Sequence, residues 1–375
     1  MDRISDLPDE ILHHIGSFLS AKEAAFATLL SKRWRTLFTI IPNLHFSGSL
    51  TRAGGGRFKD FADGVLALPV SSRVRTFSLK CKHVARSQKT TLLLSGVQEP
   101  KHHGSPRDGD YMFGKWCSTV SSTTLKRLTI RRMEWFSYDE TDEENIRVDS
   151  RCLTHEFDNV SFHTPALTYL EYSDYVPKEY LSVNLDSLVE ANLNLWVDEE
   201  GVWRPYHATT FNPMTLINGL KHVAILSLTS EAVEMFDVLN ESIPMFVMVS
   251  QLSLGLSERC WFSLTNVIKK FPNLKTLIIE GSLHYDYSEY SCLLSCPVEV
   301  LKINEYYGSV NELEQTKHFL GKLPCLELVV VCARETSSEA KLQIMAELLM
   351  IPRASSKCKI QLGFVIRIQF SPKYC

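Results

Sequence analysis

No stretch of this sequence stays apolar for the roughly 18–20 residues that a membrane-crossing helix requires. Nor does it open on a basic stretch followed by an apolar one. The first residues, MDRISDLPDE, are acidic and polar, so no secretory leader is expected. An excess of basic charge is missing too. Forty Lys and Arg stand against 43 Asp and Glu, a formal net charge of −3, which supplies no general field for nucleic acid. The cysteines lack any framework. Ten are scattered at 81, 117, 152, 260, 292, 296, 325, 332, 358 and 375, and without a leader they read as reduced, mostly buried thiols of an intracellular chain, nuclear and/or cytoplasmic.

Catalytic and cofactor patterns are equally thin. Cys292 and Cys296 sit in CLLSC with no companion Cys/His pair to complete a zinc site. GGGR at 54–57 lacks the flanks of a phosphate-binding loop. Cys260, Cys325 and Cys332 could be paired on paper with His284 or His318, but each lies in or beside an apolar segment and no third group orients them. We expect no enzyme, no cofactor and no metal.

What is present is an ordinary apolar content of 45% with 22% charged residues, enough for a real core. At 375 residues the chain exceeds one ordinary domain, and reads as two domains or as a small module joined to an elongated array. In the segment DEILHHIGSFLS, Ile11, Leu12, Ile15, Phe18 and Leu19 recur at helical spacing from Pro8, which is expected at the first helical position, to about Leu19. Gly16 interrupts that stripe. Ser20 and Glu23 form a capping-box pattern for a second helix, and Ser31 can cap a third that carries Trp34 and ends before Pro42. Three such short helices cannot bury all these apolar side chains among themselves. The surplus faces either a partner or the rest of the chain.

The run from Asp2 to Phe38, with LPDEIL, SFL and LSKRWR in order, resembles the plant form of the F-box, and the likeness covers about 2–45. The resemblance implies a three-helix module that binds the Skp adaptor of a cullin-based ubiquitin ligase. By motif position it implies Leu7, Pro8, Ile11, Leu12, Ile15, Leu19 and Trp34 at or behind the adaptor interface. The family usually carries an aliphatic residue where Gly16 stands. Glycine costs about 1 kcal/mol of helix propensity, and the absent side chain withholds about 1.5–3 kcal/mol if the site is buried.

From residue 70 a motif recurs in which apolar residues are separated by two positions and then by one. Its instances are Val74-Phe77-Leu79, Leu125-Leu128-Ile130, Leu167-Leu170-Tyr172, Val223-Leu226-Leu228, Val249-Leu252-Leu254, Leu274-Leu277-Ile279, Val298-Leu301-Ile303 and Leu326-Val329-Val331, with Leu188, Leu193 and Leu195 as a stretched version. The central positions are mostly 23–33 residues apart, the period of leucine-rich repeats. The first two intervals, 51 and 42, are close to double. Each unit should supply one strand to a shared core. The asparagine typical of such repeats is mostly missing, so an irregular solenoid is expected over 70–290, against an α+β domain with similar strands. Residues 84–114, with His102–His103, read as an atypical solvated insertion rather than a metal or phosphate loop, and 134–150 as an acidic surface loop.

Over 291–364 the pattern is strand, helix, strand, helix, strand. Ser309 and Glu312 form a capping box, Val310, Leu313, Thr316 and Leu320 make one stripe, and Leu342, Met345, Leu348 and Leu349 make another. SCPVEVLKINEYYGSVNELEQTKHFLGKLPCLE and PRASSKCKIQL resemble the FBD domain of plant F-box proteins. The whole resembles the plant F-box/FBD/LRR-repeat family: a mixed α/β chain with an F-box at 1–47, irregular leucine-rich repeats at 70–290 and an α/β FBD cap at 291–370. That resemblance implies a substrate receptor of an SCF-type ligase, whose partners are the adaptor, through it a cullin, and an unknown protein target. Nucleic acid and membrane are not expected partners. Strand alternation places Arg127, Thr129, Arg131, Ser227, Thr229, Ser253, Thr276, Glu280 and Lys302 on the face open to a target, with Ile278 and Asn304 beside them. The alternative is a non-catalytic interaction protein, or a decayed receptor weakened at Gly16.

Overall fold

The computed structural model describes residues 7–19, 23, 43–50, 74–84, 92–93, 119–133, 159–196, 211–281, 293, 295–334 and 337–364. The helices expected over 20–42, Trp34, His102–His103, His284, the acidic loop and most of 84–114 lie outside these residues. The chain divides into two compact units. The first comprises Met1–Ala191 and Leu195–Leu220, the second Asn192–Asn194 and Lys221–Cys375.

In the first unit α1 (Asp9–Phe18) is followed by β1 (Asn43–Leu50) and β2 (Thr76–Val84). Next come β3 (Leu92–Leu93), β4 (Thr119–Ser121) and β5 (Arg127–Met133). β6 (Val160–His163), β7 (Tyr169–Tyr175), β8 (Tyr180–Asn184) and β9 (Glu190–Trp196) follow, then the short α2 (Met214–Gly219). Strands β1, β2, β5 and β7 pair in parallel with Leu44, Phe77, Leu128 and Leu170 in one row. A second parallel sheet, in the order β3, β4, β6, β8, is built by the residues between those strands. Its Phe162 meets Tyr172 of β7 edge-on, ring centroids 5.4 Å apart, with Tyr180 6.4 Å from Phe162, so the aromatic core lies between two sheets. The helix α2 comes so close to β8 that a Cβ on Gly219 would meet Val183 Cγ1 at 2.5 Å.

The double-length intervals therefore do not hide a missing repeat. β2 pairs directly with β5 and β5 with β7, and the extra residues supply strands of the second sheet. β1 is a strand additional to those expected from the repeats. Ile41, Leu44 and Phe46 carry the same spacing as the later repeats, hidden at the end of the F-box likeness.

The second unit continues with β10 (Ile225–Leu228), α3 (Ser230–Val238), β11 (Gln251–Gly255), a 3-10 turn (Glu258–Ser263), α4 (Leu264–Ile268) and β12 (Thr276–Glu280). β13 (Val300–Tyr306), α5 (Val310–Lys322), β14 (Leu328–Ala333), α6 (Ser338–Leu349) and β15 (Lys359–Phe364) complete it, in the strand–helix order expected after 291. The six strands pair in parallel, in chain order, with Leu226, Leu252, Leu277, Leu301, Val329 and Ile360 in register. Here helices cover the inner face. Phe236, Phe246 and Phe271 stack at 5.3–6.1 Å, and Trp261 packs on Phe319 at 6.2 Å.

Every apolar residue of the recurring triplets is buried. Main-chain hydrogen bonds tie successive repeats together. Just ahead of β2, β5 and β7 one carbonyl takes two N–H groups from the next repeat: Arg75 O from Lys126 and Arg127, Lys126 O from Thr168 and Tyr169, Thr168 O from Val189 and Glu190. Ala224, Ser250, Lys275 and Glu299 do the same in the second unit.

Two helical stripes differ from expectation. On α5 the exposed Val310 points away while Glu312, Gln315, Thr316, Phe319 and Leu320 are buried. The capping box explains the rotation. Ser309 Oγ accepts from the Glu312 N–H, and the Glu312 carboxylate accepts from the Ser309 N–H at 2.9 Å and the Tyr307 N–H at 3.1 Å, which draws that carboxylate inward. On α6 the buried side is Ile344 and Leu348, continued by Ile351, and Leu342 and Leu349 are exposed.

Candidate functional site: helix α1 and the outward strand faces

Pro8 precedes α1 rather than opening it. With φ −54° and ψ 152° it sits at the N-cap, and its carbonyl accepts from the N–H of Ile11 and of Leu12, each at 3.1 Å. The apolar stripe then splits in two. Leu12 is 5% exposed, with Leu7, Ile15 and Leu19 packed against it, and Gly16 is buried on the same side. Pro8 and Ile11 face outward, followed by His14 and by Phe18, which is 75% exposed. The His14 and Phe18 rings meet edge-on at 5.0 Å. Residues 11, 14 and 18 form one helical ridge, the spacing by which a helix presents anchors to a groove. Phe18, part of the apolar stripe, joins Ile11 as an outward anchor. Its burial was not legible because 18 and 19 are both apolar and only packing decides which turns outward.

In the first unit the outward residues of β5 are held by β7. The Arg127 guanidinium lies 3.7 Å above the centre of the Tyr169 ring. Arg131 Nε donates to Glu171 Oε1, and Thr129 Oγ1 reaches Glu171 Oε2 at 3.5 Å. Tyr169 and Glu171 are therefore part of this surface, in addition to the residues expected there. They occupy the same alternate positions one strand along, which the 42-residue interval obscured.

In the second unit Ser227, Thr276 and Lys302 are half-buried, Glu280 is exposed and Ser253 is buried, donating its hydroxyl to Glu280 Oε1 at 3.0 Å. Thr229 lies one residue past β10, at the N-cap of α3, and donates to Asn194 Oδ1 at 2.8 Å. Val300, Leu328 and Val330 share this outward face and are apolar.

Five of the cysteines can be described, and all five are free thiols. Cys260, Cys296 and Cys358 are buried free thiols, Cys332 is half-buried and Cys325 exposed. Burial pushes the Cys260 thiol up, partly opposed by its bond to Ser257 Oγ at 2.9 Å. An activated cysteine is shifted the other way. Burial and the Lys322 charge hold the His318 imidazole below its usual range, and burial raises the Cys358 thiol. Among the described residues no cluster of three or more His, Cys, Asp or Glu could hold a metal, and no helix is long and apolar enough to cross a membrane.

Comparison with known proteins fits this geometry. The F-box domain model matches residues 4–46, a span that takes in all of α1. The Arabidopsis thaliana F-box/LRR-repeat protein At3g62440 is 42% identical over 472 residues, covering 96% of this chain and 99% of the relative. F-box/LRR-repeat proteins At3g58980 and At2g42720 of the same plant are 39% and 34% identical, over 96% and 97% of this chain and 74% and 100% of their own lengths. An N-terminal F-box joined to parallel, repeat-spaced strands defines the class. The chain belongs to the plant F-box/LRR-repeat protein family. F-box domains in general bind Skp-type adaptors in SCF complexes, and F-box/LRR proteins are in general non-catalytic substrate receptors. The 472-position span exceeds the 375 residues of this chain, so the relative carries stretches without a counterpart here.

Proposed function

We propose that this protein is the substrate-recognition subunit of an SCF-type cullin ubiquitin ligase. The F-box, residues 1–47, holds the Skp adaptor, the repeats over 70–290 hold a protein target, and 291–370 form the FBD domain at their end. The protein contributes proximity: it fixes a target's lysines near the ubiquitin-carrying enzyme at high effective concentration, with no cofactor and no acid–base group of its own. It works in the nucleus and/or cytoplasm, without nucleic acid or membrane as partner. The observation that carries this reading is the outward ridge of α1, Pro8, Ile11 and Phe18. Covering a side chain such as Phe18 contributes about 1.5–3 kcal/mol to a complex.

Gly16 enters through the inner stripe rather than the ridge, so its cost falls on the stability of the module. Titration of the full chain with a Skp adaptor tests the proposal. Ile11→Asp combined with Phe18→Asp should weaken binding at least about tenfold, and Gly16→Ala should strengthen it through about 1 kcal/mol of recovered helix propensity. Absence of binding at micromolar concentrations by both wild type and Gly16→Ala would overturn the receptor reading.

A further inference from the structure

On the outward face of β12, β13 and β14, Ile278, Lys302 and Val330 stand directly across from one another in register, and Thr276, Val300 and Leu328 form the neighbouring row. All six are half-buried. The ammonium of Lys302 thus rises from a strand whose neighbours on both sides, about 4.8 Å away, present branched apolar side chains at its level. Among the described residues it makes no ion pair and no hydrogen bond, although the cations around it do. Lys275 pairs with Glu299 at 3.4 Å, and Arg334 with Glu305 at 2.8 Å. Glu280, two residues along β12 from Ile278, is turned to Ser253 on β11, the strand on the far side from Lys302.

Lys302 is a half-buried residue flanked by apolar rows and without a carboxylate partner among the described residues, so the surface is complementary to an anion that arrives with apolar flanks. Among the described residues the other outward cation on these strands is Lys359, exposed beside Leu328 on β15 and two strands away. At its own level Lys302 is a single ammonium, which matches a single negative charge. The pleated face is flat and suits an extended segment, whose alternate side chains reach down to the apolar rows.

We propose that this face binds an extended target segment carrying one aspartate or glutamate carboxylate between apolar side chains, the carboxylate pairing with Lys302. The inference rests on the reading of the repeats as the target-holding part of a receptor.

The test uses the full chain and an array of short synthetic peptides with an apolar–Glu–apolar centre, with matched arrays bearing Gln, Lys or phosphoserine at that centre. The Glu array should be retained preferentially over Gln, Lys302→Arg should keep the preference, and Lys302→Glu should reverse it toward Lys peptides by at least about tenfold. A thermal melt confirms that each variant is folded. Equal retention of Glu and Gln, a preference for phosphoserine, or indifference to Lys302→Glu would overturn the proposal. Adaptor titration of the wild type is run in parallel. A chain that binds the adaptor but ignores peptide charge defeats this inference alone, and one that discriminates the peptides but ignores the adaptor defeats the receptor reading.

Discussion

The two units use the same strand and back it differently. In the first, the row Leu44, Phe77, Leu128 and Leu170 faces a second parallel sheet through Phe162, Tyr172 and Tyr180. In the second, the row from Leu226 to Val329 faces helices through Phe236, Trp261 and Phe319. The outward faces differ as well. Arg127 and Arg131 of the first unit are matched by Tyr169 and Glu171, while Lys302 of the second stands among apolar neighbours. A repeat strand therefore sets its inner face and its register, and leaves both its backing and its charge balance to the residues around it.

The largest effects should come from the shared inner row. Leu128→Ala in the first unit and Leu277→Ala in the second each remove a side chain buried completely, and each should cost about 2–5 kcal/mol in urea unfolding. A tenfold smaller cost in one unit would break the equivalence of the two inner faces. Next stands Glu312, a buried carboxylate that is fully partnered, in contrast to Lys302. Glu312→Ala strands the N–H groups of Tyr307 and Ser309 and should cost about 1–3 kcal/mol. Smaller still, Glu171→Gln removes the partner of Arg131 at a partly exposed site and should cost about 0.2–1 kcal/mol, with the difference fading at high salt. Lys302→Met should change stability by about 0.5 kcal/mol or less, toward stabilisation, because no ion pair is lost. If it destabilises as much as Glu171→Gln, the contrast between the outward faces is wrong.

The inner face was legible because its rule is local. Apolar residues at three- and two-residue steps must enter a core wherever the strand goes, and all the triplets from Val74-Phe77-Leu79 to Leu326-Val329-Val331 do. The capping box at Ser309 and Glu312 was legible for the same reason, since both partners sit within four residues. The stripes of α5 and α6 were not. Val310 and Leu342 are as apolar as their neighbours, and the carboxylate of Glu312 had to be drawn inward by two N–H donors before the buried side could be known. On α1 the spacing marked the helix but could not choose between Leu12 and Ile11 as the inward residue, because one apolar turn offers two faces until something packs on one.

The sequence alone determined the repeat spacing, the alternation of each strand and the F-box likeness of the N-terminus, all of which are settled by side chains a few positions apart. The tertiary structure decided what lies across each strand: a second sheet behind Tyr172, helix α3 against β10 and β11, Glu171 beside Arg131 and apolar neighbours beside Lys302. Those pairings join residues tens of positions apart, through intervals whose lengths vary, and only the folded backbone brings them into register.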